Sequence, residues 1–116
     1  MHEASIAEGV LQAALKSMPP QYKRISRIRL VVGVLSNLEP EPLRMYLSEL
    51  AKGTPAEGAE VDWVPDMAAL VCQECKNSDP YDGRGGLAVR CIKCGGANQL
   101  QGGNALYIDN IEVEEE

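Results

Sequence analysis

Apolar residues recur at helical spacing from Ile6 through Val10, Leu11, Ala14 and Leu15 to Met18. This pattern predicts an amphipathic helix over residues 4–18. Glu3 and Glu8 lie toward its start and Lys16 toward its end, the order a helix dipole favours. Pro19 and Pro20 stop it. The period then drops to two. Ile28, Leu30, Val32 and Val34 alternate with Arg27, Arg29, Val31 and Gly33, which predicts a strand over 25–35 with one wholly apolar face. Pro40 and Pro42 fit only the first turn of a second helix, about 40–52. Leu43, Tyr46, Leu47 and Leu50 are its expected buried stripe, and Gly53 is the expected residue just past its end.

Val61 and Trp63 mark a short strand closed by Pro65, and Met67 to Val71 form a short apolar piece after it. Residues 79–86 are rich in turn formers and read as a mobile connection, and 87–90 as a strand. The last strand runs from Ala105 to Val113. Leu106 and Ile108 share one parity and Ile111 and Val113 the other, so a bulge or bend is expected near Asp109-Asn110. The order implies an α+β fold: a small three-stranded sheet with two helices on one face. One domain spans 1–70 and is completed by a strand within 104–116. A second module, 71–103, is inserted between two strands.

Composition changes this picture in two ways. The chain has no Phe and one Trp, so its core must be aliphatic. With 116 residues there is room for one small core and little more. The net charge is −6. Residues 71–104 carry four basic and three acidic side chains, and residues 105–116 carry none and five. A nucleic-acid binder needs a basic footprint, which is missing. The start shows no basic, apolar leader and no run reaches the ~20 residues of a membrane span, so a cytoplasmic protein without membrane contact is expected.

All four cysteines lie in the inserted module, as Cys72-x2-Cys75 and Cys91-x2-Cys94. Two such pairs are a zinc signature, because facing pairs of thiolates make the tetrahedral cage Zn2+ prefers. Gly95-Gly96 follow where a tight turn under the metal needs residues without a Cβ. A redox couple would place its C-x-x-C at a helix start. A rubredoxin-like iron site is chemically allowed. Four thiolates close the coordination shell, so a structural zinc is expected and no catalytic role: the chain is not read as an enzyme.

His2 is the only histidine, and a histidine near a terminus is ordinarily just solvated. Its position nevertheless allows chelation. The Met1 amine, the amide nitrogens of His2 and Glu3 and the His2 imidazole can close successive rings into a planar nitrogen set suited to Ni2+ or Cu2+, with Glu3 adding a carboxylate. Arg27 and Arg29 mark either a partner surface or simple solvation of an open sheet face. Glu112 and Glu114–Glu116 read as a solvating tail.

Five segments occur in order: Met1-His2-Glu3-x-Ser5-Ile6, Gly33-x-Leu35-Ser36, Gly53-Thr54-x-x-Glu57-Gly58-Ala59, the two C-x2-C pairs, and Leu106-x-Ile108-x-x-Ile111-Glu112-Val113. Together they resemble the HypA/HybF hydrogenase nickel-incorporation proteins over nearly the whole chain. The resemblance implies a nickel metallochaperone with nickel bound at Met1, His2 and Glu3 in the 1–70 domain. It implies zinc at Cys72, Cys75, Cys91 and Cys94 in the 71–103 domain. It also implies a HypB-type GTPase partner, delivery to the [NiFe]-hydrogenase large subunit, and in some members a role with urease maturation proteins. A monomer or weak homodimer is expected. The chain departs from the family in two respects: no histidine stands beside a C-x2-C pair, and the second helix keeps only Tyr46 of its usual aromatics. The competing reading is a zinc-ribbon module for protein or nucleic-acid interaction, without nickel.

Overall fold

Residues 2–17 form the first helix, α1 (His2–Ser17), in the computed structural model, which describes residues 2–115 and, at residue 2, the backbone alone. Met1 and Glu116 lie outside the described residues. The face α1 buries is Ala7, Val10, Leu11 and Ala14. Ile6, Leu15 and Met18 are half-buried at its margins, and Ala7 joins the stripe because its small side chain allows close approach. The chain continues as β1 (Arg24–Gly33), α2 (Pro40–Leu50) and β2 (Glu60–Asp66). β3 (Ala68–Cys72), β4 (Ser78–Tyr81), β5 (Asn98–Gly102) and β6 (Leu106–Glu114) follow.

The described chain divides into two compact units. The first comprises 1–31, 38–64 and 107–116. Here α1 packs on α2. Ile25, Ile28 and Leu30 of β1 are buried, and no buried residue of the core is aromatic. Burying a side chain such as Leu30 contributes about 1.5–3 kcal/mol. Strand order in the sheet is β2-β1-β6. Lys23 N–H donates to Glu114 O and Ser26 Oγ to Glu112 O, so β6 runs antiparallel to β1. Ile25 N–H reaches Pro55 O just ahead of β2 and Arg27 reaches Glu60 and Asp62 within it, so β2 runs parallel to β1. A parallel pair needs a crossover, and α2 is that crossover.

On α2 the buried residues are Leu43 and Leu47, with Ala51 at the C-cap. Tyr46 and Leu50, expected in the stripe, are each 41% exposed. The helix rotates its buried face toward Ala51, whose side chain is small enough to sit against the core. A groove of about 460 Å3 opens beside α2, lined by Leu11, Ile28, Leu47, Ala51, Ala56 and Val61 among others, and Tyr46 does not fill it. Beyond the helix the Gly53–Ala59 loop closes on itself. Thr54 Oγ1 donates to Ala51 O and accepts from Ala56 N–H, and the Glu57 carboxylate accepts the Gly53 N–H.

The second unit comprises 32–37 and 65–106. A second three-stranded sheet, in the order β4-β3-β5, is an element the sequence pattern did not predict. β3 pairs antiparallel with both neighbours, with Ala68 opposite Tyr81 on one side and Cys72 opposite Asn98 on the other. Asp79, Pro80 and Tyr81 were expected in a mobile turn and instead form β4. Pro80 is tolerated there because β4 is an edge strand. Residues 87–89 are not a strand, and Arg90 makes only an isolated bridge to Ala97. Strand β2 runs on through Pro65 to Asp66. Gly33 N–H donates to Ala105 O, Leu35 N–H to Gly103 O and Val34 N–H to Asp66 O.

The parity change in β6 is present. Ile108 is half-buried, and the next half-buried positions are Ile111 and Val113, one residue out of phase. Arg27 and Arg29 are both engaged in ion pairs across their sheet. Arg27 lies 2.8 Å from Asp62, 3.1 Å from Glu60 and 3.6 Å from Glu112, so it links all three strands of its sheet. Arg29 lies 3.3 Å from Asp109. The Asp62 carboxylate, with Glu60 and Glu112, pushes the Arg27 pKa above its ordinary value.

Candidate metal centre

Each C-x2-C pair forms the same backbone knuckle. In the first, Cys72 N–H donates to Asn77 O and Lys76 N–H to Cys72 O. In the second, Cys91 N–H donates to Gly96 O and Gly95 N–H to Cys91 O. The fourth residue after the leading cysteine takes a left-handed φ in both: 65° at Lys76 and 78° at Gly95. That turn brings backbone amides onto sulfur. Glu74 and Cys75 N–H donate to Cys72 Sγ, Lys93 N–H to Cys91 Sγ and Gly96 N–H to Cys94 Sγ, each at 3.4 Å. Gln73 N–H donates to Ala97 O, tying one knuckle to the chain leaving the other. A Cβ at Gly96 would lie 3.2 Å from Cys72 Sγ and 3.0 Å from the Glu74 carboxyl carbon, which accounts for the second glycine of the pair.

The four sulfurs converge within 4.8 Å of one another. Cys72 and Cys94 are 3.5 Å apart, and Cys75 and Cys91 3.6 Å. A tetrahedron with metal–sulfur bonds of about 2.3 Å has edges of about 3.8 Å, so the cage fits a single tetrahedral ion. The leading cysteine of each pair is buried and the second exposed. The amides of Cys75 and Glu74 lower the Cys72 thiol to about 6. Those of Cys94 and Lys93 lower Cys91. Cys94 receives the Gly96 amide, which pulls its pKa down, but Cys72 and Cys75 hold its proton and push it up to about 12. Four thiolates at this spacing repel one another, and a divalent cation is what allows all four to ionise. Soft sulfur donors suit Zn2+ or iron and not Mg2+ or Ca2+.

Among the described residues this is the one cluster of metal-ligating side chains. It contains every cysteine the spacing singled out and no histidine, aspartate or glutamate. Of the expected nickel residues, Met1 and the His2 side chain lie outside the described residues. The backbone of His2 begins α1, and Glu3 is half-buried in its first turn. The tight turn expected at Gly95 is present, and its left-handed counterpart at Lys76 is not legible in the sequence. The glycine four residues after Cys91 signals the turn, and the lysine four residues after Cys72 disguises its counterpart.

A family model described as "Hydrogenase/urease nickel incorporation, metallochaperone, hypA" matches residues 1–113. The hydrogenase maturation factor HypA of Caldanaerobacter subterraneus is 31% identical over 117 residues, covering 98% of this chain and all of that one. That of Dehalococcoides mccartyi is 33% identical, covering the whole of this chain and 97% of that one. The solution structure of the nickel metallochaperone HypA from Helicobacter pylori shares the fold, with a TM-score of 0.58 at 18% identity over 98% of each chain. A match of this extent with paired knuckles closing one four-sulfur cage gives a consistent result: the chain belongs to the HypA family of nickel-incorporation metallochaperones, a hydrogenase maturation factor and not an enzyme.

Proposed function

We propose that the chain binds Ni2+ at its N-terminus, through Met1, His2 and Glu3, and delivers it in the cytoplasm for [NiFe]-hydrogenase maturation. The observation that carries this reading is the family match, which begins at Met1 and so includes the only histidine of the chain. The helix start adds a physical reason. Residues 2 and 3 open α1, where no i−4 carbonyl exists within the helix, so drawing their amide nitrogens toward a metal breaks no i→i−4 bond. The amine, imidazole and amides must each give up a proton or stay unprotonated to ligate, so nickel affinity falls as pH falls. The 1–70 segment with its closing strand is the nickel domain, and 71–103 the zinc domain. Zn2+ is the resident ion of the four-cysteine cage: with its shell closed by sulfur it has no position for substrate, and it staples a small unit poor in large apolar side chains. A HypB-type GTPase and the hydrogenase large subunit are the protein partners, with urease maturation a second destination.

Nickel titration with metal analysis tests the reading on untagged protein. The wild type takes up one Ni2+ beside one Zn2+. His2→Ala loses the nickel and keeps the zinc, and an extension ahead of Met1 weakens nickel binding. An extended protein that bound nickel as tightly as the native one would overturn the amine ligand.

A further inference from the structure

The stretch from Arg84 to Lys93 departs from the rest of this acidic chain. It holds Arg84, Arg90 and Lys93 and no carboxylate. Elsewhere Arg24, Arg27, Arg29 and Lys52 are engaged in ion pairs, whereas among the described residues Arg84, Arg90 and Lys93 form none. The same stretch exposes three large apolar side chains: Leu87 at 46%, Val89 at 74% and Ile92 at 83%. Exposed isoleucine at the tip of a metal knuckle contributes nothing to the unit's own core.

The backbone carrying these side chains is fixed. Asn98 N–H donates to Val89 O and Asn98 Nδ2 to Ala88 O. Arg90 Nη1 donates to Gly95 O, Cys91 N–H to Gly96 O and Lys93 N–H to Cys91 Sγ. Ile92 sits between two ligating cysteines, so closing the cage sets its position. Apolar anchors held in place before binding lose little freedom on docking, and flanking cations favour a partner of opposite charge.

From this we infer that the second knuckle and the segment leading into it, Leu87–Lys93, form a docking surface for an acidic protein face bearing an apolar socket. Ile92 and Val89 are the anchors, and Arg90 and Lys93 set the charge preference. The inference rests on the maturation role proposed above and adds the surface by which a maturation partner is held. It includes none of the proposed nickel ligands, so nickel uptake serves as the control. Cations beside four thiolates also offset their charge. That role alone predicts zinc loss when the charge is reversed, and metal analysis separates the two.

The test measures binding of zinc-loaded chain to two purified probes, the host's hydrogenase large-subunit precursor and its maturation GTPase, by biolayer interferometry at low and high salt. Ile92→Ser and Val89→Ser are expected to weaken binding at least tenfold while each retains one zinc per chain and wild-type nickel uptake. The Arg90→Glu, Lys93→Glu double variant is expected to bind more weakly still at low salt, with the difference shrinking at high salt. Variants that hold zinc and bind both probes as wild type does would overturn this surface and leave the nickel reading intact. A wild type that binds neither probe would sink the partner assignment and this surface together. Preferential binding to vesicles containing phosphatidylserine, abolished by the same substitutions, would replace the protein partner with a membrane and overturn the inference.

Discussion

At their left-handed position the two knuckles carry different residues, and the difference can be weighed. Lys76 and Gly95 both hold a left-handed backbone. An L-residue pays about 1–2 kcal/mol for that conformation, and glycine pays nothing. Glycine in turn loosens the unfolded chain, which costs about 0.4–1 kcal/mol. The Lys76→Gly variant also loses the bond from Lys76 Nζ to Gln73 O, a long 3.3 Å contact in solvent. The balance is a gain of about 0.5–1 kcal/mol, against a loss of similar size for Gly95→Lys. No atom lies within 4 Å of a Cβ built at Gly95, so the second penalty is conformational and not steric. Folding of a metal unit and binding of its ion are one equilibrium, so about 0.5–1 kcal/mol reads as a two- to fivefold change in apparent zinc affinity. Competition with a chromophoric chelator measures it, with urea unfolding of the zinc form as a second readout. Lys76→Gly should tighten zinc and Gly95→Lys should loosen it. If Lys76→Gly loosened zinc, or Gly95→Lys left it unchanged, backbone strain would not be what distinguishes the two knuckles.

Three further outcomes are expected. Gly33→Ala places a Cβ against the Gly103 carbonyl and 2.7 Å from the Ala105 nitrogen, where backbone cannot retreat without losing the Gly33–Ala105 and Leu35–Gly103 bonds. The loss should reach about 3 kcal/mol or more, seen as a large drop in Tm or failure to fold. Zinc loading at pH 7 should release fewer than four protons per ion in an unbuffered dye assay, because Cys72, lowered to about 6, is already mostly thiolate, whereas Cys94, at about 12, still holds its proton. Protonation competes with metal, so the count should rise and the affinity fall as pH drops through 6. Arg27→Met unlinks Glu60, Asp62 and Glu112, and should lower Tm modestly at low salt with the gap narrowing in 1 M NaCl.

The cysteine spacing was legible because four identical ligands at a fixed interval have few other uses, and the cage forms from all four. The first sheet was legible because Ile28, Leu30 and Val32 repeat at the period of a strand. The second sheet was not. β5 reads Asn-Gln-Leu-Gln-Gly and β4 contains Ser, Asp and Pro, so neither alternates. Their geometry comes from pairing with β3 and from the knuckle bonds, which are non-local. On α2 two stripes compete, Leu43-Leu47-Ala51 and Tyr46-Leu50. Periodicity cannot rank them when the small residue wins by allowing the closer approach. The Arg27 network was hidden for a similar reason, since its three carboxylates come from positions far along the chain.

The placement of the cysteine cage between β2 and β6 has a consequence for how the helical unit holds together. β6 must return to lie beside β1, and the chain from Asp66 to Leu106 is the excursion it makes first. When the cage is open, that excursion is a flexible loop of roughly 40 residues whose ends must meet, and tying Cys72 to Cys94 shortens the path to roughly 18 residues, which recovers about 0.7 kcal/mol of loop entropy. Loading the metal therefore acts on the helical unit as a ring-closing step acts on a linear molecule: the ends are already near each other before they bond. Metal loading in one part of the chain should therefore raise the melting temperature of the other by shortening the path between two strands.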